Sequence, residues 1–158
     1  MTYKKNGNFR LYYDDDYMMK IQLRREYFIF NGKREGEHKE YHRNGQLMAI
    51  SYYKDNNIEG DLPSYYEDGQ LDEIYKYKND KKEDEYKHYY RDGKIMIICN
   101  YKNDKREGEY KSYDGNGQLF RIWNYKNNKV YGEYKNYYYY DGQLQRIEII
   151  KIEKIEEE

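Results

Sequence analysis

Polar and apolar residues alternate along most of this chain in short runs separated by turn residues. The stretch Glu109-Tyr110-Lys111-Ser112-Tyr113 intersperses charged or polar residues with tyrosine, alternating over Glu109-Tyr110-Lys111. A period of two is the mark of a half-buried β-strand. The run ends at Asn116-Gly117. A second β-prone run, residues 118–126, follows, and a polar turn closes it, of the kind seen at Lys102-Asn103-Asp104-Lys105. One unit is therefore two antiparallel strands and two turns. Asn44-Gly45, Asp68-Gly69, Asp92-Gly93, Asn116-Gly117 and Asp141-Gly142 occupy the first turn. Such dipeptides predict a tight hairpin with φ > 0 at both central residues. That geometry pairs Arg43 with Gln46 and Tyr41 with Met48. It puts Glu37, Lys39, Tyr41, Met48 and Ile50 on one face and His38, His42, Leu47, Ser51 and Tyr53 on the other. A bulge between Leu47 and Ile50 would instead bring those two to the same face.

The unit recurs. Gly36-Glu37, Gly60-Asp61, Asp84-Glu85, Gly108-Glu109 and Gly132-Glu133 follow one another at steps of 24 residues. In the same register stand Tyr41, Tyr65, Tyr89, Tyr113 and Tyr137; then Gly45, Gly69, Gly93 and Gly117; then Leu47, Leu71, Ile95 and Leu119; then Ile50, Ile74, Ile98 and Ile122. The last unit carries an extra residue within 137–140, so its equivalents are Gly142, Leu144 and Ile147. The N-terminal part fits as a worn sixth unit, with Gly7 and Tyr12 spaced as Gly36 and Tyr41 are, and with Met18 and Ile21 in the Leu71 and Ile74 places. A fixed period of this size means a stack of structural repeats, each burying its apolar face on the next. The expected fold is all-β: an elongated, single-layer antiparallel meander of about six hairpins, on the order of 55 Å long at ~4.8 Å per strand. Residues 1–35 read as a degenerate capping repeat, 36–150 as five hairpin repeats and 151–158 as a charged tail. Two places break the pattern: Asp84, where glycine is expected, and Asp61-Leu62-Pro63, where Glu-Tyr-Lys is expected.

Composition changes this picture in one respect. A mean hydropathy of −1.44 would on its own suggest disorder, but the chain has 25 Tyr and a single proline, Pro63. Tyrosine is β-prone and amphipathic, so tyrosine ladders can replace an aliphatic core. Charge is balanced, 29 Lys+Arg against 30 Asp+Glu, which argues against nucleic-acid binding. Cys99 is the only cysteine, so no internal disulfide forms. The N-terminus shows no apolar signal region, and no window has the ~18–20 apolar residues of a membrane span. These features point to the cytoplasm, the host's if the chain is viral. Its richness in Lys, Asn, Ile and Tyr fits an AT-rich coding sequence.

Candidate chemistry is sparse. His38 and His42 are four apart, a zinc spacing on a helix, but on a strand they lie ~13 Å apart. They also stand in tyrosine columns: Tyr86, Tyr110 and Tyr134 for His38, Tyr66, Tyr90 and Tyr138 for His42. His88 falls in a column that reads as solvent-facing. Cys99 has no histidine in a supporting position, so it reads as packing. The Glu37, Glu85, Glu109 and Glu133 column, set beside Lys39, Lys87, Lys111 and Lys135, reads as a charged edge. No phosphate-binding glycine motif occurs. No catalytic residue, metal or cofactor is therefore expected. The invariant tyrosine and glycine columns read as structural. Two columns vary, Ser51/Tyr75/Cys99/Trp123 and Met48/Asp72/Met96/Phe120. Met48, Tyr75, Met96, Phe120 and Trp123 are accordingly the candidate partner-binding residues, since Tyr, Trp and Met are common interface anchors.

The unit G-E-Y-K-x-Y-x-x-x-G-Q-L-x-x-I-x-x-Y-K-N-x-K resembles the MORN-repeat variant family, which includes YwqK-type antitoxin-like proteins. The resemblance covers residues 36–147 well and 7–35 weakly. It implies stacked hairpins and binding rather than catalysis, with a protein partner along the sheet. The alternatives are an antitoxin-like inhibitor of a toxin or effector, or peripheral attachment to membrane lipid, which the near-zero net charge disfavours. Open sheet edges also invite self-association.

Overall fold

The computed structural model describes residues 6–13, 22–141 and 143–152. Met18, Ile21, Gly142 and the tail after Ile152 lie outside them. The fold is all-β, an antiparallel meander; among the described residues there is no helix and 74% are in strands. The chain divides into two compact units, 1–81 and 82–158.

The first unit holds β1 (Gly7–Tyr12), β2 (Leu23–Phe30), β3 (Lys33–Tyr41), β4 (Leu47–Lys54), β5 (Asn57–Tyr65) and β6 (Leu71–Lys78), each hydrogen-bonded to the next in chain order. A two-residue strand, β7 (Lys81–Lys82), lies at the division. The second unit holds β8 (Asp84–Tyr89), β9 (Ile95–Lys102), β10 (Lys105–Tyr113), β11 (Leu119–Lys126), β12 (Lys129–Tyr140) and β13 (Gln143–Ile152), again paired consecutively.

The turns differ from the sequence expectation. At Asn44-Gly45 only the glycine has positive φ, at 88°. The Gly45 N–H donates to the His42 carbonyl and the His42 N–H to the Gln46 carbonyl, a type I turn followed by a left-handed glycine. Asn44 stays at negative φ, where its side chain serves as an acceptor within the turn, with Oδ1 taking the Gln46 N–H at 2.9 Å. Asp68 and Asp92 do the same for Gln70 and Lys94. In these three hairpins the residue before glycine serves as an acceptor rather than for left-handed backbone; in the fourth, Asp114 accepts the Gln118 N–H instead, and in the last Asp141 does take positive φ, 45°. Tyr41 accordingly pairs with Leu47, not Met48, which is left as an extra bulged residue. With that bulge Leu47 and Ile50 do share a face, opposite Tyr41 and Lys39. The last hairpin is tighter. Its extra residue shortens the loop, so Tyr140 pairs directly with Gln143 and Tyr137 meets Ile147.

The paired positive φ values sit instead in the second turn: Asp55 and Asn56, Asn79 and Asp80, Asn103 and Asp104, Asn127 and Asn128. Lys54 faces Asn57 and Lys102 faces Lys105 across these two-residue loops. Each loop is clasped by the preceding repeat. Asp104 donates its N–H to the Lys82 carbonyl at 3.0 Å and accepts the Lys82 N–H on Oδ1 at 2.8 Å. Asn128 clasps Arg106, Asp80 clasps Ile58 and Asn56 clasps Arg34 in the same way. A glutamate completes each clasp: Glu107 accepts from Asn127, Glu83 from Asn103, Glu59 from Asn79 and Glu35 from Asp55.

The glycine after that glutamate is bulged. Between β9 and β10 the pairs Asn100–Glu107 and Ile98–Lys111 leave two surplus residues on β10, and Gly108 takes φ of 75° there. Bulges of this kind increase local twist. Asp84 fills the same place at φ 59°, and the strand breaks before it, between β7 and β8. Asp61-Leu62-Pro63, by contrast, leaves β5 unbroken and in regular register with β6.

Candidate functional site

The register sorts side chains onto two unlike faces. One face is a row of rings. In the first unit Phe9 stacks on Tyr27 (5.5 Å), Tyr27 meets His38 edge-on (5.6 Å) and His38 meets Tyr53 (5.5 Å). In the second, Tyr86 meets Tyr101 edge-on (6.0 Å), Tyr110 stacks on Trp123 (4.2 Å) and Trp123 leans on Tyr134 (5.1 Å). Offset and edge-on pairs at these separations are the favoured ones. The buried side chains named among the described residues, His38, Ser51, Tyr86, Cys99 and Tyr125, all lie on this face. Cations stack on the same rings: Arg34 over Tyr53 (4.2 Å) and Arg106 over Tyr125 (5.4 Å).

This arrangement explains one of the variable columns. Ser51 pairs with His38 and Cys99 with Tyr86. Both are small residues roofed by neighbouring rings, and Cys99 is only 1% exposed. Burial pushes the Cys99 thiol up to about 11. Tyr75 and Trp123 are the large members of that column and are half-buried among rings. His88 is also on this face, half-buried beside Tyr86 rather than solvent-facing.

The other face carries charge. Lys39 pairs with Glu37, Lys87 with Glu85, Lys111 with Glu109 and Lys135 with Glu133, along the strand in each case. Tyr41 belongs here, and its hydroxyl donates to Glu26 at 2.5 Å. The contact holds the Glu26 carboxyl below its usual value. Burial and the adjoining carboxylate push the Tyr41 phenol up to about 12. Met48, Met96 and Phe120 are the bulged residues of β4, β9 and β11; the two methionines are half-buried and Phe120 is exposed.

The sequence-level candidates thus fall into two groups, Tyr75 and Trp123 within the ring row, Met48, Met96 and Phe120 at bulges. His42 behaves as its tyrosine column does: Nε2 lies 2.7 Å from the Tyr65 carbonyl, as the Tyr90 hydroxyl lies 2.8 Å from the Tyr113 carbonyl. Among the described residues no three His, Cys, Asp or Glu side chains gather about a common point, and no helix is long and apolar enough to cross a membrane. What sequence reasoning missed is the clasp, whose signal lies in the Glu-Gly and Asn-Asp columns.

No curated protein matches the chain at a significant level. The model of the MORN repeat variant matches four blocks, residues 34–55, 58–79, 85–103 and 106–127, together more than half of the chain. The third block begins just past Asp84, where the strand is interrupted. MORN repeats are a repeat scaffold, often found in protein or membrane interactions. The clasped turns, the bulged glycines and the four matched blocks coincide, and the chain belongs to the MORN repeat variant family.

Proposed function

We propose that this chain is a non-enzymatic scaffold that binds a protein partner along the surface of its hairpin sheet. The observation that carries this reading is the thinness of the fold. The sheet of each unit stands as a single layer, and large apolar side chains remain open to solvent, among them Tyr52 at 52% exposure and Phe120 at 37%. Exposed aromatics interspersed with charge, beside adaptable methionines, have the make-up of an interface with anchors and a polar rim. The bulged column varies the side chain at one place from repeat to repeat, with Met48, Asp72, Met96 and Phe120, which suits recognition of one partner along its length.

The test is affinity capture with the full chain at mild salt, followed by quantitative binding of the captured protein to variants. Phe120→Ala and Met96→Ala should weaken that binding at least tenfold with the circular-dichroism spectrum intact. Trp123→Ala and Tyr75→Ala should weaken it less directly, by disturbing the ring row. Wild-type binding by all four folded variants would sink the reading. An antitoxin-like inhibitor is the same reading with a toxin as partner, and rescue of cells from a co-expressed toxic neighbour identifies it. Sedimentation with anionic vesicles in place of protein capture would replace it with lipid attachment.

A further inference from the structure

One place in the first unit departs from the repeat and leaves polar atoms without partners. His38 stands where Tyr86, Tyr110 and Tyr134 stand in other repeats. It is 6% exposed, and neither ring nitrogen has a hydrogen-bond partner. The nearest carboxylate oxygen, from Glu40, is 3.7 Å from Nε2, too long for a hydrogen bond. A buried polar group in this state costs about 1–3 kcal/mol, so its persistence calls for a use.

His38 lines a groove of about 330 Å³ with Leu11, Tyr27, Ile29, Arg34 and Asn56. Arg25 also borders it, but its guanidinium is held by Glu40 at 3.1 Å. Arg34 is different. Its guanidinium lies over the Tyr53 ring at 4.2 Å and, among the described residues, forms no ion pair. Stacking occupies the face of a guanidinium and leaves its edge donors available. Asn56 spends Oδ1 on the Arg34 N–H at 2.6 Å, which leaves its amide N–H groups. Burial depresses the His38 pKa, so near neutrality the ring is uncharged with one N–H to give. The groove therefore offers one uncompensated positive charge, several donors, and the apolar surfaces of Leu11, Ile29 and Tyr27. The next repeat has Ile58 and Leu62 in the places of Arg34 and His38. In the second unit the equivalent Arg106 is already bonded to the Tyr101 and Tyr125 hydroxyls at 3.4 Å.

We propose that this groove binds the carboxylate of an organic acid with an apolar body. Arg34 and His38 hold the carboxylate oxygens, and Leu11, Ile29 and the Tyr27 ring cover the body. A single free cation beside apolar walls matches a monoanion of this kind better than an inorganic dianion. The carboxylate belongs either to a free acid or to the C-terminus of a peptide. Such a site would stand whether or not the sheet also serves as a scaffold.

The experiment is a titration of the full chain, followed by the imidazole resonances of His38 in NMR spectra. The probes are benzoate, acetate, inorganic phosphate and a short peptide ending in Phe. Benzoate should give saturable shifts at least tenfold tighter than acetate, and phosphate none. Arg34→Ile and His38→Tyr install residues that other repeats already carry at these places, so the fold is kept. Amide shifts at Tyr27 and Ile29 report binding where His38 is gone. Each variant should lose at least tenfold in benzoate affinity, while Arg106→Ile should leave it unchanged. Binding of benzoate to either groove variant as to wild type, or phosphate binding as tightly as benzoate, overturns the proposal. A peptide that binds tighter than benzoate assigns the site to a protein terminus, and the reverse assigns it to a free acid.

Discussion

The clasp between a turn and the preceding repeat makes a prediction with separable parts at Asp104. This residue does two things. Its Oδ1 accepts the Lys82 N–H at 2.8 Å, and its backbone sits at φ 65° while its N–H donates to the Lys82 carbonyl at 3.0 Å. A hydrogen bond accepted by a charged group is worth about 1.5–3 kcal/mol when buried, and solvent screening brings this exposed one down to the ordinary value of about 1 to 1.5 kcal/mol. Left-handed backbone costs an ordinary L-residue about 1–2 kcal/mol, less for Asp or Asn, and glycine nothing in sterics. Asp104→Asn keeps both the acceptor and the tolerance, and should change stability by less than about 0.5 kcal/mol. Asp104→Gly keeps the backbone and drops the acceptor, for a loss of about 1 kcal/mol. Asp104→Ala drops both, for a loss of about 2–3 kcal/mol, or a melting temperature lower by roughly 4–12 °C. Urea unfolding followed by circular dichroism measures each value, with constant slope as the check that one cooperative transition is being compared. Equal losses for the alanine and glycine variants would refute the backbone part. A glycine variant as stable as wild type would refute the side-chain part.

Asp84→Gly restores the residue other repeats use at a left-handed bulge and should raise stability by at most about 0.5 kcal/mol, since relief of the left-handed backbone is offset in part by the entropy glycine adds to the unfolded chain, read as a higher urea midpoint. Cys99 should resist a thiol reagent at pH 8 in the folded chain and react at once in urea, because burial holds its thiol near 11; rapid reaction of native protein would contradict its burial. Among the groups with raised folded-state values are Cys99 and Tyr41, the latter at about 12. Each favours the folded chain at full strength below its ordinary value, and that contribution fades as pH climbs through its folded value. Stability should therefore fall between about pH 9 and 12, and less steeply in Cys99→Ala and Tyr41→Phe; unchanged slopes in both would count against it. Tyr41→Phe should also cost about 1 kcal/mol at neutral pH through loss of the Glu26 bond.

Much of this fold is legible in residue order alone. Alternation with period two specifies strands, and a unit repeated at a fixed step specifies that every hairpin meets a neighbour like itself. Turn positions follow from Asn, Asp and Gly, and the Glu37–Lys39 kind of pair follows from spacing along a strand, because each of these depends on residues close in sequence. The face that would be buried was not legible. Both faces of β3 and β4 carry apolar side chains, and only the bulges at Met48 and at the Gly36 kind of position, which rephase the strands, collect the rings of Tyr27, His38 and Tyr53 into one row. The column that alternates Ser51 or Cys99 with Tyr75 or Trp123 varies in sequence, and only the packing places its small members across from the rings of His38 and Tyr86. The groove at His38 was equally hidden. It joins Leu11, Arg34 and Asn56 from separate strands and a turn, and a histidine without a partner is a property of three-dimensional surroundings, not of any stretch of chain.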